Sequence, residues 1–143
     1  MIGDLAQHLL TQLGTVSEFG TRIGLAMGAK KIDPLMVTIP VPATWVIFRG
    51  DDPLTENVQN RGPAPVRSNF IIRVLVDYAG DSDLILAQYP LLESVITAIN
   101  GTTPTAVPGC SGWKFEGSTI DEINDNRLGY DLLFSTTFVY PCT

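Results

Sequence analysis

Trp113-Lys114-Phe115-Glu116-Gly117-Ser118-Thr119-Ile120 and Arg127-Leu128-Gly129-Tyr130-Asp131-Leu132-Leu133-Phe134-Ser135-Thr136-Thr137-Phe138-Val139-Tyr140 read together as one long β-hairpin. In the second arm Leu128, Tyr130, Leu132, Phe134, Thr136, Phe138 and Tyr140 fall on one side and Arg127, Gly129, Asp131, Leu133, Ser135, Thr137 and Val139 on the other. Alternation of that length is the period of a strand with one face in a core. The first arm alternates over its first half, and the polar run Asp121, Glu122, Asn124, Asp125, Asn126 is expected to supply the turn. The apolar side of the second arm is assigned to the core. The tip and the opposite side are left for contacts.

Working backwards, Asp81-Ser82-Asp83 offers a cap for a helix carrying Leu84, Ala87, Leu91, Leu92, Val95, Ile96 and Ile99, ended by Asn100-Gly101. Pro90 inside that run removes a backbone hydrogen bond, so the helix either kinks there or becomes regular near Tyr89. Asn69 to Tyr78 reads as a central strand, with Phe70, Ile72, Val74, Val76 and Tyr78 on one face and Arg73 and Asp77 interrupting the other. Ala43 to Arg49 is a further strand, stopped by Gly50-Asp51-Asp52-Pro53. Between these two strands, Gly50 to Ser68 holds Gly62, Pro53, Pro63 and Pro65 and is expected to be a long connection without regular structure, available for contacts or simply solvated.

At the other end, Ile2, Leu5, Ala6, Leu9, Leu10 and Leu13 recur at helical spacing, and Gly14 can end that helix. His8 falls at the edge of the stripe and is expected to be a partly exposed helix residue with no catalytic role. Thr21 to Ala26 is read as a short strand, weakened by Gly14, Gly20, Gly24 and Gly28, followed by a long connection broken by Pro34, Pro40 and Pro42. The order of elements is helix, three strands, helix, two strands. The expected fold is α+β: a mainly antiparallel sheet of about five strands packed by two helices, with the C-terminal hairpin. At 143 residues, 1–143 is expected to be a single domain.

Several functions are poorly served by these residues. Net charge is −6 and the nine basic residues are scattered along the chain, whereas a nucleic-acid surface needs clustered cations. Cys110, Cys142 and His8 cannot readily assemble a zinc site. The two cysteines could pair by count, but reduced thiols are the expectation because no secretory signal is present. No stretch approaches the ~20 apolar residues of a membrane span, so a soluble protein that stays where it is made is expected. The carboxylates Asp51 and Asp52, then Asp77, Asp81 and Asp83, and finally Asp121, Glu122 and Asp125 could serve acid/base chemistry or a hard cation. Each set sits at a strand end or turn, where such residues are favoured for local reasons. The Gly series lacks a P-loop ending, the 121–126 run lacks the glycine and glutamate of a calcium loop, and no Gly-x-Ser-x-Gly occurs. No catalytic group, metal or cofactor is expected.

Taken together, Pro42-Ala43-Thr44-Trp45-Val46-Ile47-Phe48 closing on Gly50-Asp51, the strand Phe70 to Tyr78, the Asp-led helix, Trp113-Lys114-Phe115-Glu116-Gly117 and above all Asn126-Arg127-Leu128-Gly129-Tyr130-Asp131-Leu132-Leu133-Phe134-Ser135-Thr136-Thr137 are similar to the tail terminator proteins of contractile-tailed phages and related prophages. The resemblance spans most of the chain and is weakest over Thr15 to Pro42 and Gly50 to Ser68. It implies a structural virion protein, assembled in the bacterial cytoplasm, forming a sixfold ring on the tail tube. Such a ring stops tube and sheath polymerisation and presents a surface to the neck proteins, with DNA only in transit and no membrane. Asp51, Asp52, Glu56, Asn57, Arg61, Arg67, Asp121, Glu122, Asp125 and Arg127 are the candidate subunit contacts. Another head-tail connector or tail-completion protein is the alternative, and a small hydrolase using Asp121 and Asp125 a more distant one.

Overall fold

The hairpin's second arm lies inside the sheet, flanked on both sides, rather than at its margin. A computed structural model describes residues 2–26, 39–54, 64–77, 82–124 and 126–140, with only the backbone described at 64, 82–85, 124 and 140. The elements are α1 (Ile2–Leu13), a 3₁₀ turn (Ser17–Phe19), β1 (Ile23–Ala26), β2 (Ala43–Pro53), β3 (Ala64–Asp77), α2 (Ser82–Ile99), β4 (Lys114–Asn124) and β5 (Arg127–Tyr140). The strands form one sheet in the order β1-β2-β3-β5-β4. All neighbours are antiparallel except β1 and β2, which run parallel. The α+β architecture expected from the sequence is the one observed, with a single parallel pair at one margin.

Both helices cover the same face. Leu128, Tyr130, Leu132, Phe134, Thr136 and Phe138 of β5 are buried there, as are Phe70, Ile72, Val74 and Val76 of β3. The α1 side chains Leu5, Leu9 and Leu13, the α2 side chains Val95 and Ile99, and Trp113 close over them. The residues of α1 that meet the sheet follow the helical stripe, and the Gly14 amide donates back to the Leu10 carbonyl at 3.0 Å to end the helix. Pro90 does not break α2. It sits on the solvent side, with Leu86 and Tyr89 also exposed, so the hydrogen bond that proline removes from the Leu86 carbonyl falls where water can replace it.

Two boundaries differ from expectation. Gly50 does not stop β2: it occupies a β-bulge at φ 127, a backbone conformation that suits glycine, and the strand continues to Pro53. The two described ends of the stretch from Gly50 to Ser68 are therefore paired, with Asp51 opposite Ser68, Asp52 opposite Arg67 and Pro53 opposite Val66, while 55–63 lie outside the described residues. Pro65 accepts a hydrogen bond from the Leu54 amide at 3.0 Å and has no N–H to return. Likewise the polar run from Asp121 is not all turn, because β4 continues to Asn124 through a second irregularity near Glu122.

The start of β4 is fixed by the end of α2. The Gly101 amide donates to the Trp113 carbonyl at 2.8 Å, the Trp113 amide to Thr102 at 2.9 Å, and the Phe115 amide to Asn100 Oδ1 at 3.0 Å. This lacing brings Gly112 against the backbone, where an added Cβ would lie 3.0 Å from the Gly101 carbonyl oxygen. Because a backbone atom cannot swing aside as a side-chain tip can, Gly112→Ala is expected to cost about 1–3 kcal/mol in chemical denaturation. A neutral result would mean that the loop moves freely from β4.

Candidate functional site

His8 has a structural partner that the helical pattern could not show. Trp113, almost fully buried, donates its indole N–H to His8 Nδ1 at 3.0 Å, tying α1 to the start of β4. Burial lowers the His8 pKa, and the bond itself requires an unprotonated Nδ1. The unfolded chain therefore binds the proton more readily than the folded one. The stability from this contact is complete above the ordinary histidine value of about 6.5 and is lost as pH falls below it. Melting temperature should be flat from pH 8 to 7 and decline below; in His8→Leu that part of the decline should disappear.

The carboxylates are held apart and locally engaged. Asp51 and Asp52, adjacent in sequence, take different partners: Asp51 accepts from the Ser68 hydroxyl, while Asp52 accepts from Asn69 Nδ2 at 2.9 Å and lies 3.6 Å from Arg67. Asp77 lies 3.9 Å from Arg127, whose guanidinium also donates to the Ile39 carbonyl at 2.6 Å. Asp121 lies 3.7 Å from Arg73. Among the described residues no group of three His, Cys, Asp or Glu side chains could hold a metal ion. Glu56, Asn57, Arg61, Asp81, Asp125 and Cys142 lie outside the described residues, as does the Asp83 side chain, so neither the Asp121/Asp125 pair nor a Cys110–Cys142 disulfide falls within them. Cys110 is half-buried beside the Thr136 hydroxyl at 3.0 Å, and burial pushes its thiol pKa up, which keeps it protonated.

The face away from the helices carries a charge ladder. Residues directly opposite one another share a face, which places Arg49, Arg67, Arg73, Lys114 and Arg127 there together with Asp52, Asp77, Glu116, Asp121 and Asp131. Five of the nine basic residues that look scattered in sequence thus gather on one side, balanced by as many carboxylates. At the centre Arg73, 5% exposed, makes a bidentate pair with Asp131 at 2.6 and 2.7 Å. The sequence showed Arg73 interrupting an apolar strand, but its partner depends on the β3/β5 register. The helix-bearing side has the opposite balance among the described residues: Asp4, Glu18 and Glu93 on or beside the helices and Asp51 and Glu122 at the sheet's ends, with Arg22 as the basic residue. A 670 Å³ groove on that side runs between Thr15–Glu18 and α2, lined by Glu18 and Glu93.

The described candidate contacts separate into two groups. Asp51, Asp52 and Arg67 lie at the end of the sheet where β3 begins, and Asp121, Glu122 and Arg127 at the end where it finishes. Nine residues of β3 separate Ser68 from Asp77, roughly 30 Å at about 3.3 Å per residue. Sequence reasoning missed Arg49, exposed on the charge-bearing face between clefts of 250 and 380 Å³, with no ion-pair partner among the described residues. Its place in a strand flanked by apolar residues gave no signal of this.

No family model matches the chain, and no curated protein matches it in sequence. In fold it is similar to a chain of the virion of a native gene transfer agent particle, with a TM-score of 0.61 and 19% identity over 96% of each chain. A likeness at that identity shows a shared fold. No helix among the described residues is long and apolar enough to cross a membrane.

Proposed function

We propose that this chain is a structural protein of a phage-like virion, acting as one domain, and more narrowly a tail terminator: a ring, sixfold by the family resemblance, that caps the tail tube and sheath, stops their polymerisation and joins the tail to the neck. The observation that carries the reading is the fold shared along nearly the whole chain with a chain of a gene transfer agent virion. The resemblance of the Asn126–Thr137 segment to tail terminators supports the narrower role.

Two features of the molecule agree with it. A closed ring repeats one head-to-tail contact and so needs two different patches on each copy, and the sheet ends in two different lateral margins among the described residues, β1 and β4. A ring passing DNA needs walls that do not hold a polyanion. One broad face of this chain is charge-balanced and the other acidic among the described residues, so neither offers the excess of cations that displaces counterions. Carboxylate-dependent hydrolysis gains nothing comparable, since Asp121 is exposed and beside Arg73.

Deleting the gene and imaging the particles tests the role. Overlong or irregular tails are expected for a terminator. Tails of normal length lacking heads would indicate a joining protein instead, and normal, infectious particles would remove both readings.

A further inference from the structure

The two lateral margins of the sheet fit each other. At one margin β1 carries Leu25, 61% exposed, opposite the core residue Val46 and hence on the helix-bearing face. At the other margin β4 carries Ile120, 63% exposed, opposite the buried Tyr130 and so on the same face. On α2, Tyr89 and Leu86 are also exposed and one helical turn apart. Each margin thus presents one exposed apolar side chain on the helix-bearing face, Leu25 on β1 and Ile120 on β4.

The backbone and the charges match as well. The lacing from Asn100 to Thr102 engages β4 only up to Phe115, leaving the outer edge from Gly117 to Asn124 without a partner strand among the described residues. β1 and β4 run in opposite directions, since β1 is parallel to β2 and three antiparallel steps then lead to β4. A rotation that brings the β1 of one copy beside the β4 of another therefore pairs them antiparallel, the arrangement a short strand makes without a crossover. The β4 margin carries Glu116, Asp121 and Glu122 against Lys114, while residues 20–26 carry Arg22 and no carboxylate.

We infer that the β1 margin of one copy docks on the β4 margin of the next, with Leu25 packing against Ile120 and the two edges extending the sheet across the contact. This inference rests on the proposed role as an assembling protein and names the contact by which it assembles. The contact is heterologous, so successive copies either close into a ring or continue as a filament according to the rotation between them. The three carboxylates and the irregularities on β4 are the features that keep such an edge from pairing with arbitrary strands.

Disulfide trapping tests it. Within one chain Leu25 and Ile120 are four strand spacings apart, at least about 19 Å, so cysteines at these positions cannot bridge internally. In a Cys110→Ser, Cys142→Ser background, the Leu25→Cys, Ile120→Cys protein is expected to oxidise to a covalent ladder of multimers, and each single cysteine variant to stop at dimer or below. Leu25→Asp and Ile120→Asp, both at exposed positions, should leave the fold intact by circular dichroism and weaken association at least about tenfold in sedimentation. Val139→Asp, exposed elsewhere, should not. Oligomers that form without the ladder and ignore both aspartates would overturn this contact while leaving the assembly role standing. A protein that stays monomeric alone and on isolated tail tubes would overturn both.

Discussion

Arg73→Met is expected to destabilise the folded protein by about 3 kcal/mol, the largest effect of any change on the charge-bearing face. Arg73 and Asp131 sit directly opposite in β3 and β5, and the guanidinium is 5% exposed, so removing it leaves a half-buried carboxylate without its two short hydrogen bonds. Desolvating the pair costs energy in the wild type too. For that reason the double change Arg73→Met, Asp131→Leu should recover most of the loss, and the coupling between the two sites should be large. Asp121 also approaches Arg73, but at 3.7 Å and 61% exposed it contributes little, and Asp121→Ala should stay within about 0.5 kcal/mol. Urea midpoints of the wild type, Arg73→Met, Asp131→Leu, the double change and Asp121→Ala measure this. A loss below about 1 kcal/mol for Arg73→Met would show that water reaches Asp131 freely.

Phe134→Ala should cost about 3–5 kcal/mol. Phe134 is fully buried, opposite Phe70 in β3 and Phe115 in β4, and its ring lies 5.4 Å from that of Phe115. Around it Phe70 meets Phe48 at 5.2 Å and Trp113 at 5.6 Å, so the truncation opens a cavity between rings that cannot easily close. Against a typical total of about 5–15 kcal/mol this is a large share, and the urea midpoint should drop steeply with little change in slope. The variant should lose structure before it loses association, the reverse of the order expected for Ile120→Asp. A loss under about 1.5 kcal/mol would mean that the neighbouring rings collapse into the space.

Where one side chain after another obeys a period, the sequence was a sufficient guide. The alternation from Leu128 to Phe138 placed the core face of β5, and the stripe from Ile2 to Leu13 placed α1. Failures came at residues whose usual meaning the tertiary structure overrides. Gly50 and Pro65 look like breakers, yet one occupies a bulge and the other lies in β3 and accepts from the Leu54 amide. Gly24 weakens the strand pattern of β1, but the Trp45 ring lies over it, and an added Cβ would come within 3.0 Å of that ring. His8 shows only its helical position, since Trp113 is 105 residues away. Of the described candidate contacts, Asp52, Arg67, Asp121 and Glu122 are exposed and Asp51 and Arg127 are partly buried. Their separation into two ends, the pairing of Arg73 with Asp131 and the matching margins all depend on register, which pairs residues far apart in the chain.

The sheet order also governs when the protein can become functional during synthesis. β3 runs its whole length against β5, the last of the described strands to be translated, and among the described residues β4 joins the sheet through β5. Until β5 emerges, the first three strands can pair, but Phe70, Ile72 and Val74 have an open edge beside them and the α2 segment lacks most of the surface it covers. Such distant pairing delays folding. A chain interrupted before Arg127 lacks the strand that joins β4 to β3, so its β4 margin is not fixed in place. Putting that strand late makes the joining of β4 to the rest of the sheet wait for the segment Arg127–Tyr140.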